Sequence, residues 1–218
     1  MPAITDLSGA AGPLEALLDE PARDASAIRA AVVFAHPHPQ YGGTMHTKAV
    51  YQAAKALARI GCAVLRFNFR GVGRSAGEFD QGDGEKADFK SALDYMAARY
   101  PGRPLWAAGF SFGAWVALEV GATDERVTAL IGIAPPVATS ISGHDYTFEN
   151  TLASTKAKFF VQGEADAVCP IEGMWAFYGN LEEPKELATI DAADHLFEGK
   201  TTEVGEALED LLSDFPER

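Results

Sequence analysis

Residues 109–113 read Gly109-Phe110-Ser111-Phe112-Gly113 and set a serine between two glycines at a spacing suited to nucleophilic chemistry. The apolar run Leu105-Trp106-Ala107-Ala108 precedes them behind Pro101, Gly102 and Pro104, and reads as a buried strand. Ala114 to Val120 comes next without Gly or Pro and reads as a buried helix that stops at Gly121. On so sharp a strand-to-helix turn the residues two before and two after the serine approach each other, and a side chain on either would clash. The chemistry this serves is acyl transfer. A serine hydroxyl is a poor nucleophile unless a base takes its proton, a carboxylate orients the base and N–H donors meet the developing oxyanion. Those partners can be sought elsewhere in the chain.

Of five histidines, His36, His38 and His46 precede the serine, and His144 lies in a Pro-, Ser- and Thr-rich connection. His195, in Asp191-Ala192-Ala193-Asp194-His195-Leu196-Phe197, comes after the last expected strand and before the last expected helix. It thus falls at the carboxyl end of the sheet, where open α/β folds build their sites. The acid should come after a strand between serine and histidine. Asp166 does so, just past Phe159-Phe160-Val161-Gln162-Gly163, with Pro170 stiffening the turn. Glu164 and Asp194 compete, but Asp194 adjoins His195 in sequence, where good facing geometry is rare. Two N–H groups should hold the oxyanion: that of Phe112, next to the serine, and one from the loop after an early strand. That loop reads His36-Pro37-His38-Pro39-Gln40-Tyr41-Gly42-Gly43, and because Pro37 and Pro39 have no N–H, His38 is the nearest donor. His36-x-His38 lacks a third ligand at a recognisable spacing, so no metal and no cofactor are expected.

These residues form an ordered series. His36-Pro37-His38-Pro39 with Gly42-Gly43-Thr44-Met45, Phe67-Asn68-Phe69-Arg70-Gly71-Val72-Gly73-Arg74-Ser75, Gly109 to Gly113, Gly163-Glu164-Ala165-Asp166 and Asp194-His195-Leu196-Phe197 resemble the α/β-hydrolase superfamily. More narrowly, they resemble its small, cap-less bacterial branch, related to dienelactone hydrolases and small carboxylesterases, from about residue 31 onward. The resemblance implies a Ser111–Asp166–His195 triad with oxyanion donors at His38 and Phe112, and Asn68 and Arg70 as supports of the site floor. Two departures stand out. The usual His-Gly dipeptide is His36-Pro37 here. The dienelactone hydrolases use a cysteine nucleophile, so their substrate class does not carry over to Ser111.

The elements that must position these groups alternate between strand-like and helix-like runs, which argues for an α/β fold: a mostly parallel sheet flanked by helices on both faces. Strands are expected at 13–18 (antiparallel, near an edge), 30–35, 62–69, 105–108, 127–134, 158–162 and 185–190. Helices are expected at 44–60, 84–99, after Ser111, at 171–181 and from about Val204 to Phe215. Only about two dozen residues separate the strand ending near Ala134 from the one at 158, too few for a separate lid by ordinary domain sizes. One domain over 1–218 with no large cap, and an open, shallow site, is the expectation. Tyr41, Trp175 and Phe197 are the candidate pocket residues, with Phe79, Phe110 and Tyr146 nearby, against the plainer reading that most are core.

Composition bounds the partners. The 218 residues carry a net charge of −13, which repels nucleic acid and anionic membranes. The two cysteines, Cys62 and Cys169, show no metal or disulfide spacing and suit a reducing cytoplasm. No signal peptide or membrane-spanning stretch is read, and self-association into a homo-oligomer stays open. The expected activity is hydrolysis of short-chain carboxylic esters, a small-molecule substrate. Thioesterase, peptidase or acyltransferase chemistry on the same triad, a non-catalytic binding protein and, more distantly, a redox role for an exposed Cys169 are the alternatives.

Overall fold

The computed structural model of the protein describes residues 3–21, 28–137, 140–141 and 144–215. Within them the apolar runs become one eight-stranded sheet: β1 (Ala3–Ile4), β2 (Ala16–Asp19), β3 (Ala31–Ala35), β4 (Ala63–Phe67), β5 (Leu105–Phe110), β6 (Val127–Ile133), β7 (Ala157–Gly163) and β8 (Lys185–Ile190). Their spatial order is β1-β2-β4-β3-β5-β6-β7-β8. The pairings of β2 with β1 and with β4 are antiparallel, and all the others are parallel. Strands of a parallel sheet are covered on both faces and read as continuous apolar runs. Here Ala31, Val33 and Ala35 point into one apolar layer, and Val32 and Phe34 into the other.

Helices α1 (Lys48–Arg59) and α6 (Thr201–Leu212) cover one face through Val50, Ala53, Leu57, Val204, Leu208 and Leu212. On the other face lie α2 (Asp83–Arg99), α3 (Phe112–Thr123) and α5 (Ile171–Asn180), burying Phe89, Leu93, Met96, Val116, Leu118 and Met174. Three starts differ from expectation by more than a residue, α6 among them, which begins at Thr201 rather than near Val204. The antiparallel strand expected from residue 13 begins at Ala16, because Gly12–Pro13 pairs back on Ser8–Gly9 as a small hairpin. Helix α1 begins at Lys48 rather than near 44, because the Met45 N–H is drawn to Asn68 Oδ1 and the Thr44 N–H to Thr47 Oγ1.

Between β6 and β7 the described chain holds only the pairing of Ser140–Ile141 with His144–Asp145 and a five-residue helix, α4 (Glu149–Ala153). This crossover is strapped down. Glu119 on α3 accepts hydrogen bonds from the backbone N–H and side chain of both Asn150 and Thr151, and the Trp115 indole donates to Thr147 O. Its described residues build no large cap. Because β3, β5, β7 and β8 run parallel, the segments after them emerge along one rim of the sheet. No helix among the described residues is long and apolar enough to cross a membrane.

Candidate active site

At the centre of that rim, β5 turns into α3 through Ser111, whose φ of 53° and ψ of −121° lie outside the comfortable regions for a residue with a side chain. The neighbours leave no alternative. A Cβ on Gly109 would stand 2.2 Å from Gly113 O, and one on Gly113 would stand 2.4 Å from His36 O. The Ser111 N–H donates to Ile133 O, and Ser111 O accepts from the Ala114 and Trp115 N–H groups, so the turn is tied to β6 and to its own helix. Backbone strain of this kind persists only where surrounding structure over-determines it. The serine is 3% exposed.

The loops after β7 and β8 meet it. His195 Nε2 lies 2.9 Å from Ser111 Oγ, and His195 Nδ1 lies 2.8 Å from Asp166 Oδ2. Asp166 Oδ1 accepts the N–H groups of Val168 and Cys169, each at 2.8 Å, and Oδ2 also accepts from Gln162 Nε2 at 3.1 Å. Every bond is donated to the carboxyl, which suits an acceptor-only carboxylate. The imidazole proton then sits on Nδ1, leaving the Nε2 lone pair toward the serine hydroxyl. The competing acids are engaged elsewhere: Glu164 accepts from the Thr189 hydroxyl and Asp194 from the Glu198 N–H.

The loop after β3 borders the elbow. The His38 ring packs 4.9 Å from the Phe112 ring, so the two residues expected to supply N–H donors are neighbours. His38 O accepts from both the Tyr41 and Gly43 N–H groups, which winds the loop into a short 3-10 turn, Pro39–Tyr41. Beneath it His36 is fully buried. The Phe69 N–H donates to His36 Nε2, so Nδ1 carries the proton and donates to Pro37 O at 2.6 Å. Burial, opposed by the Pro37 hydrogen bond, lowers its pKa to about 4. A neutral ring thus ties down the carbonyl before His38.

A family profile described as serine aminopeptidase, S33, matches residues 26–158. An uncharacterised protein of Rickettsia prowazekii is 37% identical over 183 residues, 81% of this chain and 76% of its own. An α/β serine hydrolase homologue from Coxiella burnetii is 36% identical, with 95% of each chain covered and a TM-score of 0.85. A Xanthomonas campestris α/β serine hydrolase without lid is 34% identical, covering 99% of this chain and 94% of that one, with a TM-score of 0.86. The chain belongs to the α/β serine hydrolases.

A cavity of about 430 Å³ opens over Ser111 and His195 of this hydrolase, bordered by Pro37, His38, Tyr41, Thr47, Val168 and Leu196 among others. Of the candidate pocket residues it takes in Tyr41. Phe197 is turned inward, fully buried against Phe110 in the layer beneath α1 and α6, and is core. Trp175 sits 54% exposed on α5, outside the cavity lining. Cys169 is buried, not an exposed thiol. Its sulfur, an Asp166 oxygen and a His195 nitrogen lie within 4.8 Å of one another, close enough together to face one ion, but in this hydrolase the carboxyl and the imidazole already serve the hydrogen-bond chain. Gln162 is the site residue that sequence reasoning missed. Its signal was present: a polar side chain closing an otherwise apolar run, Phe159-Phe160-Val161, asks for a buried partner.

Proposed function

We propose that this hydrolase cleaves short-chain carboxylic esters through an acyl-enzyme on Ser111. The observation that carries the reading is the unbroken series Ser111 Oγ, His195 imidazole, Asp166 carboxyl at 2.9 and 2.8 Å. Ser111 Oγ bonds to the ester carbonyl carbon while its proton passes to His195 Nε2. The oxyanion is held by the N–H groups of Phe112, the first residue of α3, and of His38. As the carbon–oxygen bond to the alcohol breaks, His195 returns the proton to the leaving oxygen. Water then gives its proton to His195 and its oxygen to the acyl carbon, and Ser111 leaves reprotonated. Asp166 orients the ring and stabilises the imidazolium.

A peptide bond is the second reading, favoured by the aminopeptidase description of the matching profile. The test runs on both. The wild-type protein should hydrolyse short esters and be labelled at Ser111 by a fluorophosphonate. Ser111→Ala should lose labelling and drop turnover by on the order of 10⁴-fold or more. Full esterase activity in purified Ser111→Ala would end the assignment, and faster cleavage of an amide than of its matched ester would transfer it to peptides.

A further inference from the structure

Cavity lining and surface charge together say which substrates this site accepts, given the hydrolase reading above. The molecule shows six large exposed hydrophobic side chains among its described residues, and three of them, Tyr41, Val168 and Leu196, ring this one mouth at 64%, 42% and 56% exposure. Behind Tyr41 the wall continues as rings: His38 lies 4.9 Å from each of Tyr41, Phe79 and Phe112. Its Nδ1 accepts the Gln40 N–H, so that nitrogen carries no proton toward a ligand. No Asp, Glu, Lys or Arg is among the described residues lining the cavity. The carboxylate closest to the chemistry, Asp166, is already met by His195, Gln162 and two backbone N–H groups.

A charge brought into such a site loses water and meets no opposite formal charge among the described lining residues, which is the costly case. A free α-ammonium, which an aminopeptidase must hold beside the scissile carbonyl, finds no carboxylate. A substrate carboxylate finds no cation, and it must also approach a molecule of net charge −13. We propose that the site selects esters uncharged on both sides of the scissile bond, with a compact aliphatic or aromatic group packed against Tyr41, Val168 and Leu196, and discriminates against substrates bearing a free α-amino or carboxylate group. Tyr41 is the specificity-determining residue, because its exposed ring lines the cavity and packs on the buried His38 ring.

The experiment is a set of matched pairs assayed with the intact protein: phenyl butyrate against phenyl hemisuccinate, and N-acetylalanine phenyl ester against alanine phenyl ester below pH 7. The uncharged member should win each pair by at least about tenfold in kcat/KM, the effect of one unpaired charge at its most modest. The hemisuccinate deficit should shrink in high salt, since only its long-range part is screened. Tyr41→Ala should raise KM for phenyl benzoate with kcat nearly unchanged, whereas a merely structural role would lower kcat across the series. A charged member equal to or better than its partner would overturn the inference, as would a Tyr41→Ala variant that treats all substrates alike. If Ser111 reacts with fluorophosphonate and charged esters are turned over freely, this inference alone fails. If Ser111 is not labelled and no ester is cleaved, the hydrolase reading fails and takes the inference with it.

Discussion

The two halves of the site are held in different ways. Ser111 sits at the middle of the sheet, where β5 is paired on both sides and the elbow is gripped by backbone: Gly109 against Gly113, Gly113 against His36 O. Asp166 and His195 sit toward the β8 edge, on loops with both buried and exposed residues; Gly163 passes close to Ala193 O there, but the two side chains themselves are aimed by side-chain and turn hydrogen bonds. Steric crowding places the serine, and hydrogen bonds place its partners. Packing tolerates no added atom, while hydrogen bonds can be lost singly with the fold intact.

The largest consequence is kinetic and belongs to the edge half. Asp166→Asn keeps the shape but invites the wrong imidazole tautomer, so turnover should fall by on the order of 10⁴-fold while the thermal midpoint stays near that of the wild type. A loss below tenfold, or a collapse of stability, would erase the contrast. In the central half an equally small change should appear as lost stability instead. Gly113→Ala puts a Cβ 2.4 Å from His36 O and 2.6 Å from Ala35 O, and should cost about 3 kcal/mol in urea denaturation. A near-native midpoint would mean that the elbow yields.

A smaller contrast concerns pH. His36 is buried neutral with its pKa lowered from 6.5 to about 4. The unfolded chain therefore takes up a proton near pH 6.5 that the folded protein refuses until about pH 4, so this contribution is complete above pH 6.5 and is lost as pH falls through that window. Between pH 7 and 5 the loss should be about 2 kcal/mol. Replacing the ring by His36→Gln should flatten that slope, and a slope unchanged by the substitution would remove His36 from the account. The smallest effect expected is at Gln162. Gln162→Leu removes one donor to Asp166 Oδ2 and should lower kcat/KM by about tenfold, the worth of one hydrogen bond to a charged acceptor. Activity within twofold of wild type would show that the two backbone N–H groups suffice to hold the carboxylate.

Much of this was written locally along the chain. The glycines two before and two after Ser111, the strand before it and the helix after it are short-range facts, because an elbow is a steric requirement met within five residues. Asp166 and His195 were legible because each comes just after an expected strand, and parallel strands deliver their succeeding loops to one rim. The absence of room for a large cap between β6 and β7 could be read from the length of that connection. The directions in which side chains turn could not. Phe197 has the composition of a pocket wall, but its backbone, with a φ of 54°, aims it into the core. Cys169 looks like a turn thiol until Asp166 draws its N–H inward. Gln162, Glu119 and His36 acquire their work from partners that are distant in sequence or that matter only once water is excluded. Sequence by itself determined which chemical groups reach the rim, since that depends on strand order and local sterics. The tertiary structure decided which of them face the cavity, which face the core and which steady the others, since those outcomes rest on contacts between segments that no local pattern encodes.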